Sequence, residues 1–197
     1  MVKILLKLLF VLWLFFPMNI YALDRCIEYV PDVRSAHIRY FGLGFPYWYG
    51  LGQLQQESNC RASVTAFDAG MGLAQFMPAT TKYISSLMKE RLDPYNPEHA
   101  TRMQAFYMNR LHKQNLHKKL FISYMYYNSG KGTVDKEIIR CGSIDKSRMK
   151  EVCHRKVLTL KGGKKLDLCD VGYDYPVRIY KYGGKYKRGA DGNFLFW

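Results

Sequence analysis

Gln53-Leu54-Gln55-Gln56-Glu57-Ser58-Asn59, followed by Gly70-Met71-Gly72-Leu73-Ala74-Gln75-Phe76-Met77-Pro78-Ala79-Thr80, decides how this chain is read. Leu51, Leu54 and Ser58 fall on one face at helical spacing, so the first piece is the end of a helix. Glu57 lies one step round from Leu54, at the edge of that face. A carboxyl placed there is partly desolvated, which raises its pKa and suits it to give up a proton near neutral pH. A lone glutamate is more often an ordinary solvated side chain. What singles out Glu57 is the ordered pattern that follows: a turn, a Gly-Leu-x-Gln run, and a new helix entered through Met77-Pro78-Ala79-Thr80. Pro78 fits a first helical turn because its missing N–H is not needed there.

Working outward, the stretch 40–49 is aromatic and glycine-rich and is expected to cover the core and open the Glu57 helix. Gly50 and Gly52 weaken that helix locally, which implies close packing against another backbone. Residues 23–39 form a lead-in with one helix. Helices are expected over 80–91, over 97–112 (with Ala100, Met103, Phe106, Tyr107 and Leu111 on one side) and over 120–127. Asn128-Ser129-Gly130-Lys131-Gly132 ends the last of these, and a further helix follows from Thr133. Between residues 141 and 170 charges, glycines and short apolar pieces alternate, the pattern of a hairpin or irregular insert around Lys161-Gly162-Gly163-Lys164-Lys165. Apolar spacing returns at Tyr175, Val177, Ile179, Tyr180 and Tyr182, predicting a final helix over 173–186. No repeat or low-complexity segment interrupts this. The fold class read from these elements is mainly α, with a small insert near the C-terminus.

The chain's 197 residues are enough for one domain with a real core. Residues 1–22 are set apart as a secretory signal: Lys3 and Lys7 precede an apolar run, Pro17 breaks it, and Ala22 offers the cleavage point. The apolar run is shorter than the roughly 20 residues a spanning helix needs, which argues against an anchor. The formal charge is +14, and losing Lys3 and Lys7 from a segment with no acid leaves +12. Such a field attracts polyanions; an exported destination makes an acidic wall polymer or membrane a better candidate than nucleic acid. Cys26, Cys60, Cys141, Cys153 and Cys169 suit disulfides in an exported chain, with one left over. No CxxC or HExxH occurs, so no metal and no cofactor is expected. The division expected is a signal at 1–22, a catalytic domain at 23–140, and a cysteine-containing extension at 141–197 packed on the same domain.

Three pieces stand in order: Glu57-Ser58; Gly72-Leu73-Ala74-Gln75 with Met77-Pro78-Ala79-Thr80; and Tyr126-Tyr127-Asn128-Ser129-Gly130. Over roughly residues 45–135 this resembles the catalytic domain of the soluble lytic transglycosylases (SLT), of the lysozyme-like superfamily. The resemblance implies a helical, lysozyme-like (α+β) domain with a glycan cleft, acting on peptidoglycan strands. Glu57 would be the single catalytic carboxylate, cleaving the N-acetylmuramic acid–N-acetylglucosamine bond and leaving a 1,6-anhydro end. Ser58 would support the glycan or the Glu57 carboxyl, and Gln75 would bind sugar amides or hydroxyls. Tyr127 would hydrogen-bond Glu57, and Asn128 would hold the cleft wall. Ala74 stands where the family has Met, and Tyr126 where it has a small residue. The bland alternatives are a helix end for Ser58, core for Tyr127 and a C-cap for Asn128. Asp68 in the intervening loop either caps the turn before Gly70 or activates water, as in goose-type lysozyme, which would make the protein a hydrolase. A wall-binding or assembly protein without catalysis is the third reading. The implied setting is the periplasm or cell envelope, peripheral to the wall, with wall remodelling, a secretion or conjugation machine and a phage assembly all open as the context served.

Overall fold

The computed structural model describes residues 24–152, 157–159, 162–163 and 165–187. The expected signal segment and the tail beyond residue 187 lie outside them. The elements are α1 (Val30–Phe41), α2 (Trp48–Ser58), α3 (Pro78–Met88), α4 (Pro97–Gln114), α5 (Leu120–Ser129), α6 (Lys131–Cys141), α7 (Lys146–Val152), β1 (Val157–Thr159), β2 (Lys165–Asp167) and α8 (Leu168–Gly183). Single 3-10 turns at Arg25–Tyr29 and Gly184–Tyr186 flank the set. The architecture is helical, with β1 and β2 as one small antiparallel hairpin pairing Leu158 with Leu166.

α2 is the axis of the fold. Trp48 through Leu54 are all buried, and the helix packs most extensively on α8, then on α1. Its two glycines explain how. A Cβ on Gly50 would lie 2.3 Å from the His37 ring of α1, and one on Gly52 would lie 2.3 Å from the Ile179 carbonyl of α8. Gly183 of α8 returns the fit, since its own Cβ would lie 2.6 Å from the Trp48 carbonyl. Two helix backbones therefore touch where any larger residue would hold them apart. α4 and α5 close the core from the other side with Ala100, Met103, Leu111, Leu120 and Ile122, all buried.

Local chemistry sets the helix starts. Asn96 caps α4 by accepting from the His99 amide at 3.1 Å, with Pro97 in the first turn. Asp167 caps α8 by accepting from the Cys169 amide at 2.9 Å. That cap starts α8 at Leu168, five residues earlier than the apolar spacing suggests, and the helix runs on through Pro176. α7 falls inside the stretch read as irregular. Its one core anchor is Met149, fully buried, and a single apolar residue makes no periodicity.

Candidate active site

α2 ends at the site. Asn59 takes a left-handed conformation (φ 52°), and so does Cys60 (φ 56°), which turns the chain sharply away. The amides of Asn59 and Cys60 return to the Gln55 and Leu54 carbonyls at 3.0 and 3.3 Å, closing the helix. Cys60 is buried in a disulfide with Cys26, which pins this turn to the N-terminal segment. Ser58, 4% exposed, accepts from the Arg61 amide and donates to the Leu73 carbonyl at 2.8 Å. It thereby rivets the end of α2 to the Gly-Leu-x-Gln run.

The loop 61–77 folds on itself through short backbone pairings, Gly72 N to Val64 O at 2.9 Å and Met71 with Phe76 in both directions at 3.1 Å. Gly72 sits at φ +68°, and a Cβ there would fall 1.8 Å from the Pro94 carbonyl, so only glycine fits. Gln75 also has positive φ (51°), and its Nε2 donates to the Gly72 carbonyl at 2.7 Å. Asp68 accepts from the Gly70 amide at 3.2 Å, which is a turn cap.

The Glu57 carboxyl faces this loop. Tyr175 of α8 donates a hydrogen bond to its Oε1. Burial pushes the Glu57 pKa up to about 7; the Tyr175 hydrogen bond pulls the other way, and the Asp68 charge adds to the rise. Tyr127 lies close enough that the Glu57 charge raises its own pKa, after burial. Tyr127 packs against Phe76 and Tyr107, each at 5.7 Å between ring centres, to make an aromatic wall beside the acid. A carboxyl with a pKa near neutrality can hold a proton for a leaving group and take one back afterwards.

The structure brings Glu57, Ser58, Gln75 and Tyr127 together and ties three of them to backbone carbonyls. Ser58 is buried and spends its hydroxyl on backbone groups, not on the Glu57 carboxyl. Tyr127 donates to the Ala74 carbonyl at 2.6 Å, not to Glu57. Gln75 is half-buried and spends its amide N–H on the loop backbone. Ala74 is fully buried and offers only that carbonyl, so it forms no wall of the cleft. Asn128 is exposed at the end of α5, bonded to Ser129 at 3.1 Å. Tyr126 is buried and donates to Asp135 at 2.6 Å. The residue missed by sequence reasoning is Tyr175, 118 positions from its partner. Its only trace in the sequence is helical spacing among other tyrosines. Among the described residues no group of three His, Cys, Asp or Glu is placed to hold a metal. A cavity of about 880 Å³, lined by Asp24, Arg25, Gln55 and Lys185, lies elsewhere. Gln55 is two residues before Glu57, roughly 200° around the helix from it.

The family model for the Transglycosylase SLT domain matches residues 53–149. The 70 kDa soluble lytic transglycosylase of Escherichia coli has the same fold, with TM-score 0.60 and 20% identity over 77% of this chain and 23% of that one. The complex of the 70-kDa soluble lytic transglycosylase with bulgecin A matches at TM-score 0.59 and 20% identity, covering 81% of this chain and 24% of that one. An inactive mutant of the lytic transglycosylase Slt from Pseudomonas aeruginosa matches at 0.57 and 17%, covering 89% and 26%. The matched region is thus about a quarter of those longer proteins. No curated protein matches the chain in sequence.

Proposed function

We propose that this chain, which carries a transglycosylase SLT domain, is a peptidoglycan lytic transglycosylase. The observation that supports this best is the Glu57 carboxyl, raised to about 7 and oriented by Tyr175. In the proposed reaction Glu57 starts protonated. It gives its proton to the oxygen between N-acetylmuramic acid and N-acetylglucosamine as the bond from the anomeric carbon breaks. Glu57, now a carboxylate, takes the proton of the muramic acid 6-hydroxyl while that oxygen closes on the anomeric carbon. The product end is 1,6-anhydro-muramic acid, and Glu57 is again protonated. Ordinary glycosidases need a second carboxylate to activate water or attack the sugar; here the substrate brings its own nucleophile. The nearby acid, Asp68, spends an oxygen on the Gly70 amide, in keeping with a turn cap.

Export to the cell envelope belongs to this reading. It is supported by residues 1–22 and by the Cys26–Cys60 disulfide, which oxidising compartments preserve. The protein would work peripherally on wall strands, on behalf of a secretion, conjugation or phage assembly that must open the wall. Residues 23–140 would carry the reaction and 141–197 would complete it, with Tyr175 as the supporting observation.

The test is mass spectrometry of purified peptidoglycan digested with the mature protein and with Glu57→Gln. Anhydro-ended muropeptides from the wild type alone are expected. Reducing ends would instead make the protein a hydrolase with Asp68 as the water-activating group. No release from folded protein would leave a wall-binding or assembly role.

A further inference from the structure

Behind Glu57 runs a line of polar side chains that the apolar interior has no other reason to hold. Gln53 and Gln104 are both 0% exposed, and Tyr175 is 2% exposed. Gln104 of α4 donates its Nε2 protons to the Gly50 carbonyl at 2.9 Å and to Gln53 Oε1 at 3.0 Å. Gln53 then donates its Nε2 to the Tyr175 hydroxyl oxygen at 3.1 Å, and Tyr175 donates to Glu57 Oε1. The direction follows from chemistry. A backbone carbonyl only accepts, so the Gly50 oxygen fixes which end of the Gln104 amide faces it. Turning that amide over would set oxygen against oxygen. With Gln104 fixed, Gln53 must offer its oxygen to Gln104 and its N–H to Tyr175. The Tyr175 oxygen is then already an acceptor, and its proton has Glu57 Oε1 as its partner.

We propose that Gln53 and Gln104 are positioning residues of the Glu57 site. They form a one-way chain of buried donors that locks the Tyr175 proton onto Oε1 and leaves Oε2 as the oxygen that carries and releases the catalytic proton. This rests on Glu57 acting as the acid. The chain also polarises the phenol, since a hydroxyl that accepts a hydrogen bond donates a stronger one. A stronger donor favours the carboxylate and keeps its pKa from climbing further. The titratable groups facing Glu57 from the elements around it are Tyr175 of α8, Tyr127 of α5 and Asp68 of the loop. Gln53 and Gln104 carry no charge, so their effect on Glu57 must travel through Tyr175.

The experiment follows the Glu57 carboxyl by carbon NMR titration of labelled protein, which needs no substrate. In Tyr175→Phe the midpoint should rise by roughly one pH unit, the worth of a charge-assisted hydrogen bond. Gln53→Met should raise it by less, and Gln104→Met by less again. Gln53→Met combined with Tyr175→Phe should add nothing to Tyr175→Phe alone. In the pH–rate profile the same variants should move the limb set by Glu57 in the same direction. A midpoint unmoved by Gln53→Met and Gln104→Met, or full additivity with Tyr175→Phe, would overturn the proposal. Should both methionine variants fail to fold, the unaltered protein decides. A slowly exchanging Tyr175 hydroxyl proton near the Glu57 side chain is required, and its absence is equally fatal. If the titration follows expectation while wall digestion gives no anhydro ends, the relay stands and the transglycosylase reading falls.

Discussion

Replacing Glu57 by glutamine should abolish cleavage and, at the same time, stabilise the protein at neutral and alkaline pH. The carboxyl titrates at about 7 in the fold, against 4.5 for an ordinary glutamate. Between these values the folded chain holds a proton that the unfolded chain has released. Stability therefore falls as pH rises through this window and levels off above about 7. At full burial the separation is worth about 3 kcal/mol. Glu57 keeps some exposure, and solvent screening trims this to about 2 kcal/mol. Glutamine carries no charge to desolvate, and its oxygen can still accept from Tyr175. Below pH 4.5 the two proteins should unfold alike, because Glu57 is then protonated in both folded and unfolded states. At pH 8 the variant should be the more stable, by about 4–8 °C in melting temperature for a domain of this size. Urea or thermal unfolding at pH 4 and pH 8 measures it. A variant less stable than wild type at pH 8, or a gap that is widest at pH 4, would refute the burial argument.

Four further outcomes are expected. Gly52→Ala should cost about 3 kcal/mol or more by chemical denaturation, since the new methyl meets the Ile179 carbonyl at 2.3 Å and the Gly183 amide at 2.7 Å; no loss would mean that the α2–α8 contact is looser than described. Reducing Cys26–Cys60, which are 34 positions apart, should cost about 4 kcal/mol, read as a drop in melting temperature with reductant. Asp68→Asn should lower the Glu57 midpoint in an NMR titration, because a like charge is removed, and should leave any anhydro product unchanged. Finally, wall digestion should slow as salt rises, because screening weakens the pull of a strongly basic chain on an anionic polymer, and a flat rate from low to high salt would exclude that pull.

What could be read from the sequence was what depends on neighbours in the chain. α4 was legible from apolar residues at helical spacing and α5 as a short continuous apolar run, with Asn96-Pro97 and Gly130 marking where they start and stop. Gly50 and Gly52 announced close backbone contact; the structure supplies it at Gly52, against α8, whereas Gly50 makes room for the His37 side chain. Glu57 stood out through the ordered motifs that follow it in the chain. What could not be read depends on how α8 crosses α2. Four tyrosines lie at positions 173, 175, 180 and 182, and only the crossing decides which one reaches Glu57. Nor does a sequence say which way a hydroxyl points. Tyr127 lies in the field of the Glu57 carboxyl, yet its hydroxyl bonds to the Ala74 carbonyl. Gln53 was in view from the start, inside the motif-bearing helix. Its meaning needed Gln104 and Tyr175, which are 51 and 122 positions away.

The separation between Glu57 and Tyr175 has a consequence for the order in which the protein is made. By the time synthesis reaches Cys141, every piece of the signature has been made: the acid, the loop and the Tyr127 wall. The hydroxyl that orients the acid has not, nor has the helix whose backbone meets Gly52. Contacts so distant in sequence form late in folding, after the loop-closure entropy between them has been overcome. The nascent chain therefore lengthens through most of its synthesis with Glu57 unseated, and the carboxyl gains its Tyr175 partner only as α8 docks.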